Sequence, residues 1–323
     1  MKQIGWALDR MLPSTGDDPW RPDELRAIIH RLGIAGDVSA PRTLWLDVAE
    51  HVCLRALDWG GTGAPVLLLH GGALTAQTWD YVCAGLRSEF RLIALDMRGH
   101  GESSRSDDYS IGRLAADAAE AASELGIERL HLVGMSLGGV VAAELALTTP
   151  SLVKSLTMVD VAPGVEFEGT ARMRRFINGM ISAPSIEAVI DAALRTSPGS
   201  DRDRVAYRMR ALLRERCDGA WEWRRDSRRM VDYSHILAHI EGLAGRVGAF
   251  SAPFLMVRGG RSRSMPASAA AEFASRFHDG RFVEISDAGH NVQEDNPAAL
   301  IRESRSFWNE RQLSDQEHTA TGR

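Results

Sequence analysis

Arg129-Leu130-His131-Leu132-Val133-Gly134-Met135-Ser136-Leu137-Gly138-Gly139 is the stretch whose reading decides the fold. It sets a serine inside Gly-x-Ser-x-Gly, between an apolar strand and an Ala-rich segment of helical character. Small residues on both sides let the chain turn so tightly that the hydroxyl projects alone at the strand end. The pentapeptide by itself is a weak signal. The strand-turn-helix context is what makes Ser136 a candidate nucleophile.

Working outward, other apolar runs end on polar residues in the same way. Val66-Leu67-Leu68-Leu69 ends at His70-Gly71-Gly72, Arg91-Leu92-Ile93-Ala94-Leu95 at Asp96, and the run from Leu152 to Val159 at Asp160. Helical segments are expected near Trp79 to Leu86, from Ile111 to Leu125 and directly after Ser136. Upstream, Leu44 to Val48 and Val52 to Leu57 alternate as the arms of a hairpin should. Downstream, Phe254-Leu255-Met256-Val257 and Arg281-Phe282-Val283-Glu284-Ile285 restore the rhythm, with a helix near Ala267 to Phe277 between them. Buried strands alternating with helices predict an α/β fold: a mostly parallel central sheet flanked by helices. In such sheets ligands sit beyond the carboxyl ends of the strands, where His70, Asp96, Ser136 and Asp160 converge.

The remaining segments define the domain plan. Residues 1–42 are an N-terminal extension, rich in proline, with one amphipathic helix from Asp23 to Leu32 whose apolar face fits its own core or a second subunit. Residues 43–160 and 247–313 form the core. Residues 161–246 lose the sheet rhythm and read as a helical cap inserted after the sixth strand. A last helix is expected from Pro297 to Asn309, and the polar tail 314–323 is expected to be disordered.

At 323 residues and a net charge of −5, the chain suits one large domain with an insertion and gives no reason to expect nucleic acid or an anionic membrane as partner. A small-molecule substrate is expected, with a homo-oligomer built through the extension or cap as a further option. Cys53, Cys83 and Cys217 are widely spaced and odd in number, which predicts reduced thiols. Asp9, Arg10, Asp17 and Asp18 interrupt any apolar leader, and no stretch has transmembrane length, so a cytoplasmic protein is expected. No metal or organic cofactor is expected, because the His and Cys positions lack ligand spacing and no phosphate-binding loop follows the first strands.

A serine hydroxyl needs an adjacent base. Among the histidines His290 is placed best, after a strand and after Gly289, late in the chain. An oxyanion needs donors, and the backbone N–H groups of Leu137 and Gly72 are suited to supply them. His70 and Asp96 read as structural, packing and organising their loops. The cap arginines, Arg172, Arg174, Arg208 and others, read as a solvated face paired with acids such as Asp203, Glu215 and Asp226. A carboxylate-binding lid is the second reading for Arg172, Arg174 and Arg208.

These motifs resemble the α/β-hydrolase superfamily, in its serine-nucleophile branch of esterases and C–C hydrolases. The resemblance rests on His70-Gly71-Gly72 with Trp79 beyond it, Asp96-Met97-Arg98-Gly99-His100-Gly101-Glu102-Ser103, Gly134-Met135-Ser136-Leu137-Gly138-Gly139 and Ala288-Gly289-His290, in family order. It implies Ser136 as nucleophile, His290 as base, and Gly72 and Leu137 as oxyanion donors. The chain departs from the commonest pattern at the acid. Arg258-Gly259-Gly260-Arg261-Ser262-Arg263-Ser264-Met265 carries Ser262 where most relatives carry aspartate. Asp160, at the preceding strand end, is the candidate acid, as in some relatives. The alternative is a Ser–His pair supported by Ser262. Dehalogenases and epoxide hydrolases of this fold place aspartate at the Ser136 position, so serine favours an ester, and after it a lactone, a thioester or an activated C–C bond. A non-catalytic ligand-binding protein on the same scaffold is the alternative of another class.

Overall fold

The hairpin of β1 (Arg42–Ala49) and β2 (Val52–Asp58) opens the sheet, pairing Leu46 with Leu54 and Arg42 with Asp58. β3 (Pro65–Leu69), β4 (Arg91–Leu95), β5 (Leu130–Met135), β6 (Val153–Val159), β9 (Phe254–Gly259) and β10 (Gly280–Ile285) follow. The computed structural model describes residues 20–165, 171–196, 199–226 and 233–321, and for 171–174, 233–235 and 311–321 only the backbone. Among the described residues these strands form one eight-stranded sheet in the order β1-β2-β4-β3-β5-β6-β9-β10. β2 runs antiparallel to both its neighbours, and the pairs from β4 to β10 are parallel.

Central strands are buried on both faces, which is why they read as continuous apolar runs. Successive side chains point to opposite faces, so Leu67 and Leu69 join one apolar layer while Val66 and Leu68 join the other. The first layer is covered by α3 (Ile111–Glu124), α4 (Leu137–Thr148), α8 (Tyr233–Leu243) and α9 (Ala267–Ser275). The second is covered by α1 (Pro22–Arg31), α2 (Asp80–Leu86), α11 (Pro297–Thr321) and the cap helices α6 (Ile186–Thr196) and α7 (Arg202–Leu212). α3 starts where the Ser110 side chain accepts the Arg113 N–H, satisfying one of the orphan donors of a first helical turn.

Three features of the segment between β6 and β9 and of the C-terminus differ from the sequence expectation. First, that segment contains a two-stranded ribbon, β7 (Leu213–Glu215) with β8 (Trp221–Trp223), besides α5 (Ala171–Gly179), α6 and α7. Its turn is closed by the Gly219 N–H donating to Arg216 O, with Gly219 at φ 79°. Asp218-Gly219 is a hairpin signal that the helical expectation passed over. Second, α8 turns its apolar face to the core. Ile236, Ile240 and Leu243 pack in the layer with α4, and Glu144 of α4 holds both Arg246 and His239. The expected cap ran to residue 246, yet α8 packs with the core layer, because an apolar helical period reveals a buried face but not its partner. Third, α11 continues past Asn309 through most of the segment expected to be disordered. Extending an existing helix is far easier than nucleating one, and no Gly or Pro occurs between Pro297 and Gly322.

α1 docks on its own chain. Leu25, Ile28 and Ile29 are buried in the second layer, while Glu24 meets Arg210 at 2.9 Å and Arg31 meets Asp203 at 3.0 Å, both on or beside α7. The described part of the extension thus braces the cap against the core, and residues 1–19 lie outside the described residues. Among the described residues, Cys83 and Cys217 form no disulfide. No described helix is long and apolar enough to cross a membrane.

A second brace joins α7 to α2: the Tyr207 hydroxyl donates to Asp80 Oδ2 at 2.6 Å in a fully buried setting. Burial, outweighing the Tyr207 hydrogen bond and the Arg55 charge, pushes Asp80 up to about 8. Folded protein therefore keeps this proton from about pH 4, where the unfolded chain loses it, up to about pH 8. The contribution of Asp80 to stability is greatest below that window and declines through it. Asp80→Asn retains an acceptor for Tyr207 without the titration. Between pH 5 and 8.5 the variant is expected to gain on the wild type in thermal denaturation, by about 2–4 °C per kcal/mol of lost penalty. Parallel Tm curves would remove this role for Asp80.

Candidate active site

Ser136 sits between β5 and α4 at φ 51° and ψ −118°, a backbone region that L-residues rarely occupy. The flanking glycines make the turn possible. A Cβ on Gly134 would lie 2.1 Å from Gly138 O, and one on Gly138 would lie 2.3 Å from Leu69 O. The Ser136 N–H donates to Val159 O at 3.0 Å, which ties the turn to β6. Leu137 is the first residue of α4, where backbone N–H groups have no partner within the helix. Its N–H is a donor at the head of the helix beside the serine.

The loop after β3 passes against this turn. A Cβ on Gly71 would come within 2.5 Å of Met135 Sδ and 3.4 Å of Ser136 Cβ. Gly72 follows, partly exposed, and Ala73 adopts φ 63°. His70 is fully buried and fixes the loop from below: its Nε2 accepts the Met97 N–H at 3.0 Å, so Nδ1 carries the proton given to Gly71 O at 2.8 Å. Burial holds this imidazole below the usual histidine range. His100 packs edge-on against it at 4.9 Å and is pushed down to about 3, chiefly by burial. Asp96, also fully buried, accepts from the Ala76 N–H at 2.6 Å, Arg55 at 3.1 Å and the Glu102 N–H at 3.2 Å. It joins the Gly72 loop to the Arg98–Gly101 loop and is taken up by that task.

Asp160 ends β6 at φ 54°, with no exposed surface. Its Oδ1 accepts the Gly259 N–H at 3.0 Å, and its Oδ2 accepts from Ser262 Oγ at 2.5 Å and His290 Nδ1 at 2.7 Å. Met135 pairs with Val159 across β5 and β6, so Ser136 and Asp160 occupy matched positions at adjacent strand ends. His290 follows β10 and remains one-quarter exposed. The preceding Gly289 N–H is held by Asp295 Oδ2 at 2.7 Å. A Cβ on Gly259 would lie 2.0 Å from Gly289 O, so the loops after β9 and β10 pack backbone to backbone. Among the described residues, neither Ser136 Oγ nor His290 Nε2 makes a hydrogen bond; the contacts of the His290 ring are at Nδ1.

Ser262, the alternative support for the histidine, donates to Asp160 Oδ2. One residue escaped the sequence: Ser264, almost completely buried, places Oγ 3.0 Å from His290 Nδ1. Its only sequence signal is position, two residues beyond Ser262 in a loop that lacks a carboxylate.

The described cap arginines are mostly paired. Arg208 Nη1 meets Glu294 Oε2 at 2.7 Å beside a small cavity lined by Leu74, Thr78, Tyr207 and Leu212, and Arg214 meets Glu222 at 2.7 Å. Arg224 pairs with Glu102. Arg208 is thus already neutralised and is not a free carboxylate receptor. The side chains of Arg172 and Arg174 lie outside the described residues.

A parallel sheet with a strained serine turn at one strand end, and a buried carboxylate–imidazole pair reached from the next, is the architecture of the α/β class of serine hydrolases. The chain belongs to the alpha/beta hydrolase fold family, which it matches over residues 64–297. It is 36% identical over 258 residues to the esterase Rv0045c of Mycobacterium tuberculosis (strain ATCC 25618 / H37Rv), covering 77% of this chain and 84% of that protein. A refined structure of the M. tuberculosis esterase superposes with a TM-score of 0.74 at 33% identity, covering 91% of this chain and 100% of that one. The crystal structure of E-2-(acetamidomethylene)succinate hydrolase superposes with a TM-score of 0.73 at 25% identity, covering 83% and 99%.

Proposed function

We propose that this protein hydrolyses carboxylic esters of small molecules through an acyl-enzyme. Ser136 Oγ attacks the ester carbonyl while His290 Nε2 takes its proton, and the backbone N–H groups of Gly72 and Leu137 receive the oxyanion. The alkoxide leaves with the proton returned by His290, and water, activated by the same nitrogen, releases the acid. Asp160 keeps Nδ1 as the protonated nitrogen, so that Nε2 is the base, and stabilises the imidazolium that forms. The observation that carries the reading is the 2.7 Å contact of His290 Nδ1 with Asp160 Oδ2, one strand from Ser136. The esterase relative supports an ester as the bond cleaved. A lactone, a thioester or an activated C–C bond would use the same three side chains. A ligand-binding protein without chemistry has little need for a buried acid aimed at a half-open histidine.

The test is labelling with a fluorophosphonate, which phosphonylates an activated serine, followed by turnover of p-nitrophenyl esters. One adduct mapping to Ser136, with steady ester turnover, is expected. A folded sample that neither labels nor turns over would leave the binding protein as the better reading. Labelling without ester turnover would move the reaction to one of the other bonds.

A further inference from the structure

We propose that Ser264 is a positioning residue for His290, and that Ser262 and Ser264 together brace the acid and base across the strand that separates them. The inference rests on the triad reading above and adds residues to it.

Asp160 closes β6, and His290 follows β10, but β9 lies between these strands in the sheet. Two strand spacings are roughly 9–10 Å, so the acid and base must meet over the end of β9. What lies there is the loop that follows β9, with Ser262 and Ser264 both buried. Their short hydroxyl side chains put one oxygen on Asp160 and one beside His290.

The contacts form a closed circuit. Ser262 Oγ donates to Asp160 Oδ2 at 2.5 Å and accepts the Ser264 N–H at 3.2 Å. Ser264 Oγ lies 3.0 Å from His290 Nδ1, which itself contacts Asp160 Oδ2 at 2.7 Å. Because Nδ1 carries a single hydrogen, Asp160 and Ser264 share it as a three-centre bond. One acceptor fixes the distance to the ring, and the second limits its rotation about that contact. The loop is itself fastened, since Arg258 donates to Met265 O at 2.9 Å and Ser262 O at 2.8 Å and pairs with Glu284 at 2.6 Å.

The experiment compares Ser264→Ala and Ser264→Thr with the wild type on a p-nitrophenyl ester. Ser264→Ala is expected to lower kcat about 3- to 10-fold, the worth of one hydrogen bond, with KM and Tm unchanged. Ser264→Thr, which keeps the hydroxyl, is expected to restore most of the loss. A kcat unchanged in Ser264→Ala, or an equal loss in the Thr variant, would overturn the proposal. Failure of the triad reading is separable, since it would appear as a wild type without labelling or turnover.

Discussion

Replacing Ser136 by alanine is expected to lower kcat for a p-nitrophenyl ester by about 10⁶-fold, the loss seen when the serine of a comparable triad is removed. The hydroxyl is the only atom removed. The turn itself depends on the close backbone approach at Gly134 and Gly138 and on the Ser136 N–H bond to Val159 O, all of which remain. Thermal stability should therefore match the wild type, which separates lost chemistry from lost fold. What survives should be the modest acceleration due to bound substrate and the Gly72 and Leu137 donors. Retention of even one-hundredth of the wild-type kcat in pure protein would mean that the nucleophile lies elsewhere.

Asp160→Asn should follow with a loss of about 10⁴-fold in kcat, as for the equivalent change in a serine protease triad. The reason is the tautomer. An amide can present N–H to His290 Nδ1, so the ring then carries its proton on Nε2 and has no lone pair for the Ser136 hydroxyl. KM should change little, because Asp160 is buried behind the histidine and touches no substrate. The fold should hold, since the asparagine oxygen can still accept from the Gly259 N–H or from Ser262. Kinetics on both variants distinguish acid from support: Ser262→Ala removes one donor to the carboxylate and leaves the His290 contact, so its loss should be far smaller. A loss below threefold for Asp160→Asn would move the orienting role to Ser262 and Ser264.

Most of the fold was legible because its signals are local. Leu67-Leu68-Leu69 and its counterparts are apolar on both faces as only central strands need to be, and each ends on a polar residue at the same edge of the sheet. Ser136 was legible for the same reason, because the small residues that permit its turn are its immediate neighbours. The errors arose where a local pattern has more than one partner. The apolar face of α8 is plain, yet only packing shows that it meets α4 and not the cap. The polar end of α11 resembles irregular tail, yet it follows an established helix. Arg208 resembles a free cation until Glu294, far along the chain, is seen against it.

By itself the sequence determined the parallel sheet, the strained serine turn, the glycine loop beside it and the histidine that follows the last strand. These depend on residues within a few positions of one another. That His290 meets Asp160, and that Ser262 and Ser264 contact this pair, was decided by tertiary structure alone. Asp160 and His290 are 130 residues apart, and hydrogen bonds between them depend on the order β6-β9-β10 and on where each strand stops. Ser262 stands where the family resemblance led us to expect the acid, but its oxygen donates to Asp160. Which residue supports which is a matter of ångströms across the sheet, and no spacing along the chain records it.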